Sequence, residues 1–218
     1  MDRPRLRDLH HPDLSELLVH FTGRPRPRTD LPDAIRQLDA RGRLEGILQE
    51  RAIWAMTTFY APVPTVCFTE STRPGLEYMI GEAGFEPWGI VFHRETVFDQ
   101  GGGPVFHLRD DEWEYRDRLP DRLRSRIIRF APGEAEWVEE REWRVPYDSG
   151  EPGFVFTPDQ VVALIVGDPR WPPPVEKMDM VFELGDWGPG IVPSPPDWLP
   201  DCERWIWQPE RQRLGIVG

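Results

Sequence analysis

The segment 137–146 carries the side chains best suited to chemistry. It reads WVEEREWRVP, and as a β-strand it would place Glu140, Glu142 and Arg144 on one face and mostly apolar side chains on the other. The two carboxylates would then project about 6.6 Å apart, where each raises the pKa of the other unless Arg144 compensates. Two interpretations stay open: catalytic carboxylates at the edge of a cleft, or an ion-paired strand face in solvent.

Two earlier strands are predicted to end in polar groups near such a cleft. Residues 17–22 form a short apolar run that contains His20 near its end, and residues 65–69 form a second run bounded by prolines and by Ser71. Apolar and β-branched runs between turn-forming residues are typical of strands.

Further elements follow from hydrophobic periodicity and from helix start signals. Gly42 is a possible break in the first long helix, and Pro120 interrupts the last one. The predicted elements are a helix from Leu31 to about Arg51, a helix over 75–83, a turn over 95–99, a helical segment over 110–129, and strands over 52–56, 88–93, 104–108, 154–156 and 161–166.

Composition bounds the kind of protein. The chain has 218 residues with 10 Trp and 25 Pro, which favours one loop-rich domain. Its core is expected over about 17–168, and its formal net charge is -12. The negative charge argues against a general binder of nucleic acid or of anionic membranes, because tracking phosphates needs a positive field. A Pro- and Trp-rich region over 169–218 is predicted to wrap over the core, with a partner-binding surface as the alternative.

The cysteines and the apolar runs indicate a location. Cys67 and Cys202 are too few and too distant in sequence for a disulfide framework or a metal site. No run approaches 18 apolar residues, so we expect no membrane span. The prediction is a cytoplasmic protein that does not contact membranes.

Two further motifs have open interpretations. Gly101–Gly103 would bring the backbone close to a ligand or simply form a flexible hairpin. The helical segment 110–129 is locally basic, and it reads either as a solvated helix with ion pairs or as an anion-binding face. Its six arginines are Arg116, Arg118, Arg122, Arg124, Arg126 and Arg129.

The ordered set of short motifs resembles the abortive-infection AbiGi-like family of phage-resistance proteins, which carries an antitoxin label. The resemblance covers about residues 17 to 168. The motifs that carry it are HFT at 20–22, VCFTE at 66–70, WGIVF at 88–92, GGPVF at 102–106 and EREWRV at 140–145. The opening HFT followed by a helix is also similar to the entry of DarT-type ADP-ribosyltransferases, which modify DNA with NAD.

The second resemblance implies a set of site residues. In the ADP-ribosyltransferase fold a first-strand His holds NAD, a second-strand hydroxyl shapes the site, and a later Glu drives transfer. By position His20 matches the first, Thr69 or Ser71 the second, and Glu142, with Glu140 two residues before it, the third. A carboxylate there would stabilise the oxocarbenium-like charge of NAD cleavage.

Other residues near these motifs have a ligand role and a structural alternative. His20 either bonds NAD or is a satisfied strand-end histidine, and Thr22 completes the HFT motif. Phe21 and Tyr60 either stack on nicotinamide or adenine or pack in the core. Arg51 either meets a diphosphate or complements a helix C-terminus.

These observations predict an α+β domain with two small, mostly antiparallel sheets, as in ADP-ribosyltransferases. The expected function is phage defence or toxin-antitoxin activity by NAD-dependent ADP-ribosyl transfer, with NAD as the co-substrate. The alternative is a non-enzymatic antitoxin or regulatory module that binds a protein partner. Arg24, Arg26 and Arg28 extend the first hypothesis to single-stranded nucleic acid as a ligand.

Overall fold

The computed structural model describes residue 6 and residues 13–25, 32–57, 61–148, 153–171, 182–183, 189–190 and 198–217. These residues form a mixed α and β fold. The helices are α1 Asp33–Arg36, α2 Ala40–Glu50, α3 Arg73–Gly81, α4 Arg94–Asp99 and α5 Asp121–Arg124. The strands are β1 Leu17–Phe21, β2 Ala52–Trp54, β3 Thr65–Thr69, β4 Gly89–His93, β5 Gly103–Pro104, β6 Phe106–Arg109, β7 Ile127–Phe130, β8 Glu142–Pro146, β9 Gly153–Val155, β10 Val161–Val166, β11 Phe182–Glu183, β12 Pro189–Gly190, β13 Glu203–Gln208 and β14 Arg213–Val217.

One large sheet organises the fold. Eight strands lie in the order β14-β13-β10-β4-β1-β3-β8-β5. Neighbours are antiparallel except β10 and β13, which are parallel. Three two-stranded sheets pair β2 with β9, β6 with β7, and β11 with β12. The expected α+β class is therefore correct, but the sheet arrangement differs from the expected two small sheets.

The sheet is weakly joined between β1 and β3. β1 pairs with β4 at five positions, from Leu17 to Phe21, whereas it pairs with β3 at Val19–Thr69 alone. Next to that pair the ring of His20 is hydrogen-bonded to the carbonyl oxygen of Cys67, with 2.9 Å between Nδ1 and O. We call this place the seam. The side chain of His20 thus bonds a main-chain carbonyl of β3 beyond the single backbone pair of the two strands.

Two apolar layers cover the faces of the sheet. On one face Leu18, Phe68 and Phe92 pack with α2 and with Phe154 of β9. On the other face strand residues pack against the buried side of α3 and against β14. That second layer contains Val19, Phe21, Leu76, Met79, Ile80, Phe85, Val91, Ala163, Ile165, Trp207 and Leu214.

The helix predicted from Leu31 to Arg51 is two helices. The side chain of Asp39 accepts a hydrogen bond from the amide of Gly42 at 2.7 Å, which caps the start of α2. Gly42 therefore lies inside α2, and the break predicted there occurs before Asp39. Residue 51 ends α2 in a left-handed conformation, with φ of 53° at Arg51.

The segment predicted to be helical over 110–129 is only partly so. A 3₁₀ helix spans Asp110–Arg118 and the short α5 follows Pro120. Ile127 and Ile128 then lie in β7, which pairs in parallel with β6. These residues are β-branched and buried, so strand pairing is favoured over continuation of the helix. The predicted strand over 104–108 is likewise divided between β5 and β6.

Where the structure describes the C-terminal region, Trp171 and Leu199 are buried in the core, and residues 203–217 form sheet strands and not an arm. β13 and β14 continue the eight-stranded sheet, and Trp207 and Leu214 are buried in it. The prediction of an arm was wrong for residues 203–217. Isolated aromatic residues occur both in alternating strands and in proline-rich segments that wrap over a core, so they do not distinguish the two. Residues 172–181, 184–188 and 191–197 lie outside the described residues.

Candidate active site

A cavity of about 710 Å³ opens at the seam between β1 and β3. Its walls come from the end of β1, from α2, from β2 and β3, and from the segment that leads into β8. Most of the wall is apolar. The charged and polar residues of the wall include His20, Arg24, Cys67, Glu140, Glu142 and Arg144.

The ring of His20 has a defined tautomer. A carbonyl oxygen only accepts hydrogen bonds, so the Nδ1 atom of His20 carries the proton that it donates to Cys67 O. Burial, aided by the charge of Arg24, lowers the pKa of His20 to about 4. The ring is therefore neutral near pH 7, and its Nε2 atom is left as a hydrogen-bond acceptor.

Glu142 is locked in a buried ion pair. Arg144 donates from Nε to Glu142 Oε1 at 3.0 Å and from Nη2 to Oε2 at 3.1 Å. Burial alone would raise the pKa of Glu142, but the charges of Arg144 and Arg24 and the hydrogen bond from Arg144 hold it below its usual value. Glu142 is thus ionised, with both oxygens engaged.

Cys67 adds a third contact to the same carboxylate. Burial, together with the negative charge of Glu142, raises the pKa of Cys67 to about 12. The thiol therefore stays protonated beside the Glu142 carboxylate. Glu142, Arg144 and Cys67 share one face of the sheet, since Cys67 pairs with Arg144 across β3 and β8.

Glu140 is the less constrained carboxylate of the cavity. It ends a 3₁₀ helix, Trp137–Glu140, and its Oε2 lies 3.8 Å from Nη1 of Arg24. Burial raises the pKa of Glu140, and the charge of Arg24 opposes that shift only in part. Of the two carboxylates that flank Arg141, Glu140 is therefore the one with an oxygen atom left for a ligand.

The predicted continuous strand over 137–146 is wrong. Arg141 adopts a left-handed conformation with φ of 44° and separates the 3₁₀ helix from β8. Glu140 and Glu142 consequently do not alternate along one strand, although both line the cavity. The strand itself is buried on both faces, so the interpretation as a solvated face is also wrong.

Contacts from the end of β3 hold this turn. Thr69 Oγ1 donates to the main-chain oxygen of Glu140 at 3.0 Å. The carboxylate of Glu70 accepts from Arg141 Nη2 at 3.1 Å and from Trp143 Nε1 at 2.7 Å. The predicted cofactor residue Thr69 is not part of the cavity wall, and its hydrogen bond supports the segment that carries Glu140.

Phe21 and Thr22 line the cavity but have structural partners. The ring of Phe21 lies 5.1 Å from that of Phe85 in the core. The hydroxyl of Thr22 donates to the carbonyl oxygen of Ala40 at 2.7 Å, which fixes the start of α2.

The other predicted site residues lie elsewhere. Arg51 is exposed at the end of α2 and does not line the cavity. Ser71 is buried near Met79, with 3.8 Å between Oγ and Sδ, and also lies outside the cavity wall. Tyr60, Arg26 and Arg28 lie outside the described residues.

Sequence reasoning missed Cys67 as a site residue. The available signal is the alternation of Cys67 with Thr65 and Thr69 along one strand, which places the three side chains on the same face. Among the described residues no group of three or more His, Cys, Asp or Glu side chains is arranged to hold a metal ion. Nor does any helix in that part of the chain have the length and apolar character to cross a membrane.

Comparison of the chain with models of protein families, with curated proteins and with solved structures gives no match.

Proposed function

We propose that this protein is an NAD-dependent ADP-ribosyltransferase of a phage-defence or toxin-antitoxin system. One observation carries the proposal: His20, Glu140 and Glu142, which lie far apart in sequence or on different elements, line a single cavity. The volume of about 710 Å³ is within the range of about 300–1,000 Å³ that small-molecule sites occupy.

In this proposal the residues divide the work between orientation and charge. The acceptor atom Nε2 of His20 takes a hydrogen bond from a ribose hydroxyl of NAD, and the apolar wall excludes water from the reacting bond. The carboxylate of Glu140 stabilises the positive charge that develops at the ribose carbon. Glu140 takes the role for which the resemblance favoured Glu142, because Arg144 occupies both oxygens of Glu142.

The transfer step balances with these groups. The glycosidic C–N bond of NAD breaks and its electron pair leaves on nicotinamide. An oxygen or nitrogen of the acceptor then bonds to the ribose carbon, and its proton passes to Glu140. Burial raises the pKa of Glu140, so it is a stronger base than an ordinary glutamate.

The test is release of nicotinamide from NAD, with single-stranded oligonucleotides or cell protein as the acceptor. Glu140→Gln should reduce the rate by about 10²-fold or more, because it removes the charge and keeps the shape. The matched control is Glu210→Gln, the same change at an exposed residue outside the cavity, and it should retain the rate. Equal rates in the two variants would contradict the assignment.

A non-enzymatic module that binds a cognate toxin, antitoxin or other protein is the second candidate. It is favoured by the bidentate ion pair, since a carboxylate with both oxygens engaged suits structure better than chemistry. Wild-type protein that releases no nicotinamide, combined with full biological effect of Glu140→Gln in cells, would select this module over the enzyme.

A further inference from the structure

Two motifs outside the cavity come together at the edge of the large sheet. Arg126 donates from Nη2 to the main-chain oxygen of Gly101. A Cβ atom on Gly103 would lie 3.2 Å from Nη1 of Arg126, so the absence of a side chain lets the guanidinium lie against the backbone. Arg122 reaches the same loop, with its Nη2 3.6 Å from the Cβ position of Gly101. The two guanidinium groups thus approach one glycine loop.

The charge of this pair is poorly compensated. Nearby arginines have carboxylate partners: Arg124 pairs with Asp117 and Asp121, and Arg129 pairs with Asp110. Arg126 forms no ion pair with any carboxylate of the described residues, and Arg122 has a contact of 3.7 Å with the mostly exposed Asp148. Burial lowers the pKa of Arg126, and the charge of Arg122 lowers it further by a smaller amount.

The pair also retains unused donors. The Nε atom of Arg126 is buried without a hydrogen-bond partner in the described structure. The amides of Gly101 and Gly102 already donate to Phe98 and Val97, so the loop supplies space and not donors. An oxyanion at this place would relieve the repulsion between the two guanidinium groups and accept hydrogen bonds from their free N–H groups.

We propose that Arg122 and Arg126, against the Gly101–Gly103 loop, form a binding site for the phosphate group of a small molecule. A phosphate at neutral pH carries close to two negative charges, which match the two guanidinium charges, and its oxygens accept from both planar forks. The site is distinct from the cavity at the seam, because neither arginine lines that cavity. It therefore does not depend on the proposed transferase activity.

Calorimetric titration with inorganic phosphate, at constant ionic strength set with chloride, tests the site. Wild-type protein should show saturable binding, and Arg122→Gln should weaken it about tenfold or more, as expected for the loss of a charge-assisted contact. Arg122 is half exposed, so this variant should fold normally. Arg126→Gln, whose side chain is partly buried, should abolish binding.

The matched control is Arg118→Gln, which removes an exposed arginine that stacks on Tyr115 in the same basic segment. It should bind phosphate as the wild type does. The proposal is overturned if the wild type shows no saturable binding, or if Arg122→Gln and Arg118→Gln bind phosphate equally well.

Discussion

At the scale of single residues, Glu140 and Glu142 show how local contacts separate two identical side chains. Burial raises the pKa of Glu140, whereas Arg144 overcomes the same effect at Glu142 and leaves its pKa low. Two carboxylates two positions apart are thereby suited to different tasks, proton transfer for one and structural pairing for the other.

His20 gives a prediction for stability against pH. Its pKa is about 4 in the folded protein and about 6.5 in an unfolded chain. Between these values the unfolded chain binds a proton that the folded chain does not, so the contribution is complete above pH 6.5 and is lost as the pH falls towards 4. The loss should reach about 3 kcal/mol in the free energy of unfolding.

Denaturant unfolding of wild type and His20→Asn at pH 7 and pH 4.5 measures this contribution. The amide of the variant can still donate to Cys67 O but does not titrate in this range. The wild type should therefore lose more free energy of unfolding on acidification than the variant does. Parallel losses in both proteins would show that His20 is not buried in its neutral form.

At the scale of elements, the left-handed turn at Arg141 places the two carboxylates of the cavity on different elements, Glu140 on the 3₁₀ helix and Glu142 on β8. A non-glycine residue with positive φ is uncommon and needs support from its surroundings. Here Thr69 holds the carbonyl oxygen before the turn, and Glu70 holds the side chains of Arg141 and Trp143. The end of β3 thus positions Glu140 without contacting the cavity itself.

Thr69→Val should therefore reduce stability and activity together. The change keeps the shape of the side chain and removes one hydrogen bond, which costs about 1 kcal/mol. Nicotinamide release should fall because Glu140 is less firmly placed, while Thr69→Ser, which keeps the donor, should behave as the wild type. Thermal unfolding and NAD turnover of the two variants are the measurements. A Val variant with unchanged turnover would mean that this hydrogen bond does not position Glu140.

At the scale of the whole molecule, the C-terminal strands belong to the structural core. β13 pairs in parallel with β10, and β14 closes that edge of the large sheet. Leu214 of β14 is 1% exposed and packs in the apolar layer with α3. This packing makes the last described segment necessary for stability.

Leu214→Ala should lower the free energy of unfolding by about 2–4 kcal/mol, because it leaves a cavity in a packed layer. The matched control is Ile216→Ala on the same strand, whose side chain is 55% exposed and should cost less than about 0.5 kcal/mol. Chemical denaturation of both variants measures the difference. Similar small losses would instead fit an arm that lies loosely on the core.

Local patterns were sufficient for the short strands at 65–69 and 161–166, whose structural bounds match the predicted ones. They were insufficient where two local interactions compete. The cap at Asp39 starts a new helix, and the left-handed residue Arg141 separates a 3₁₀ helix from β8, where periodicity alone would continue one element. Hydrophobic periodicity does not encode such single-residue events.

The candidate site was also predictable only in part, because the sequence shows residue types but not which strands become neighbours. Residue types pointed to His20 and to the two glutamates, all of which line the cavity. The roles of Cys67 and Thr69 depend on which strands are neighbours, and β3 lies between β1 and β8 only in the folded sheet. Pairing between distant segments leaves no local signal in one sequence.

The seam between β1 and β3 has a mechanical consequence. It divides the eight strands into a block of five and a block of three, with Val19–Thr69 as the backbone pair between them. Backbone hydrogen bonds resist the separation of paired strands, so we expect the two blocks to open from each other more easily along the seam than between fully paired strands. A molecule held in the cavity touches both blocks at once. Binding of such a molecule would therefore favour one relative orientation of the two blocks.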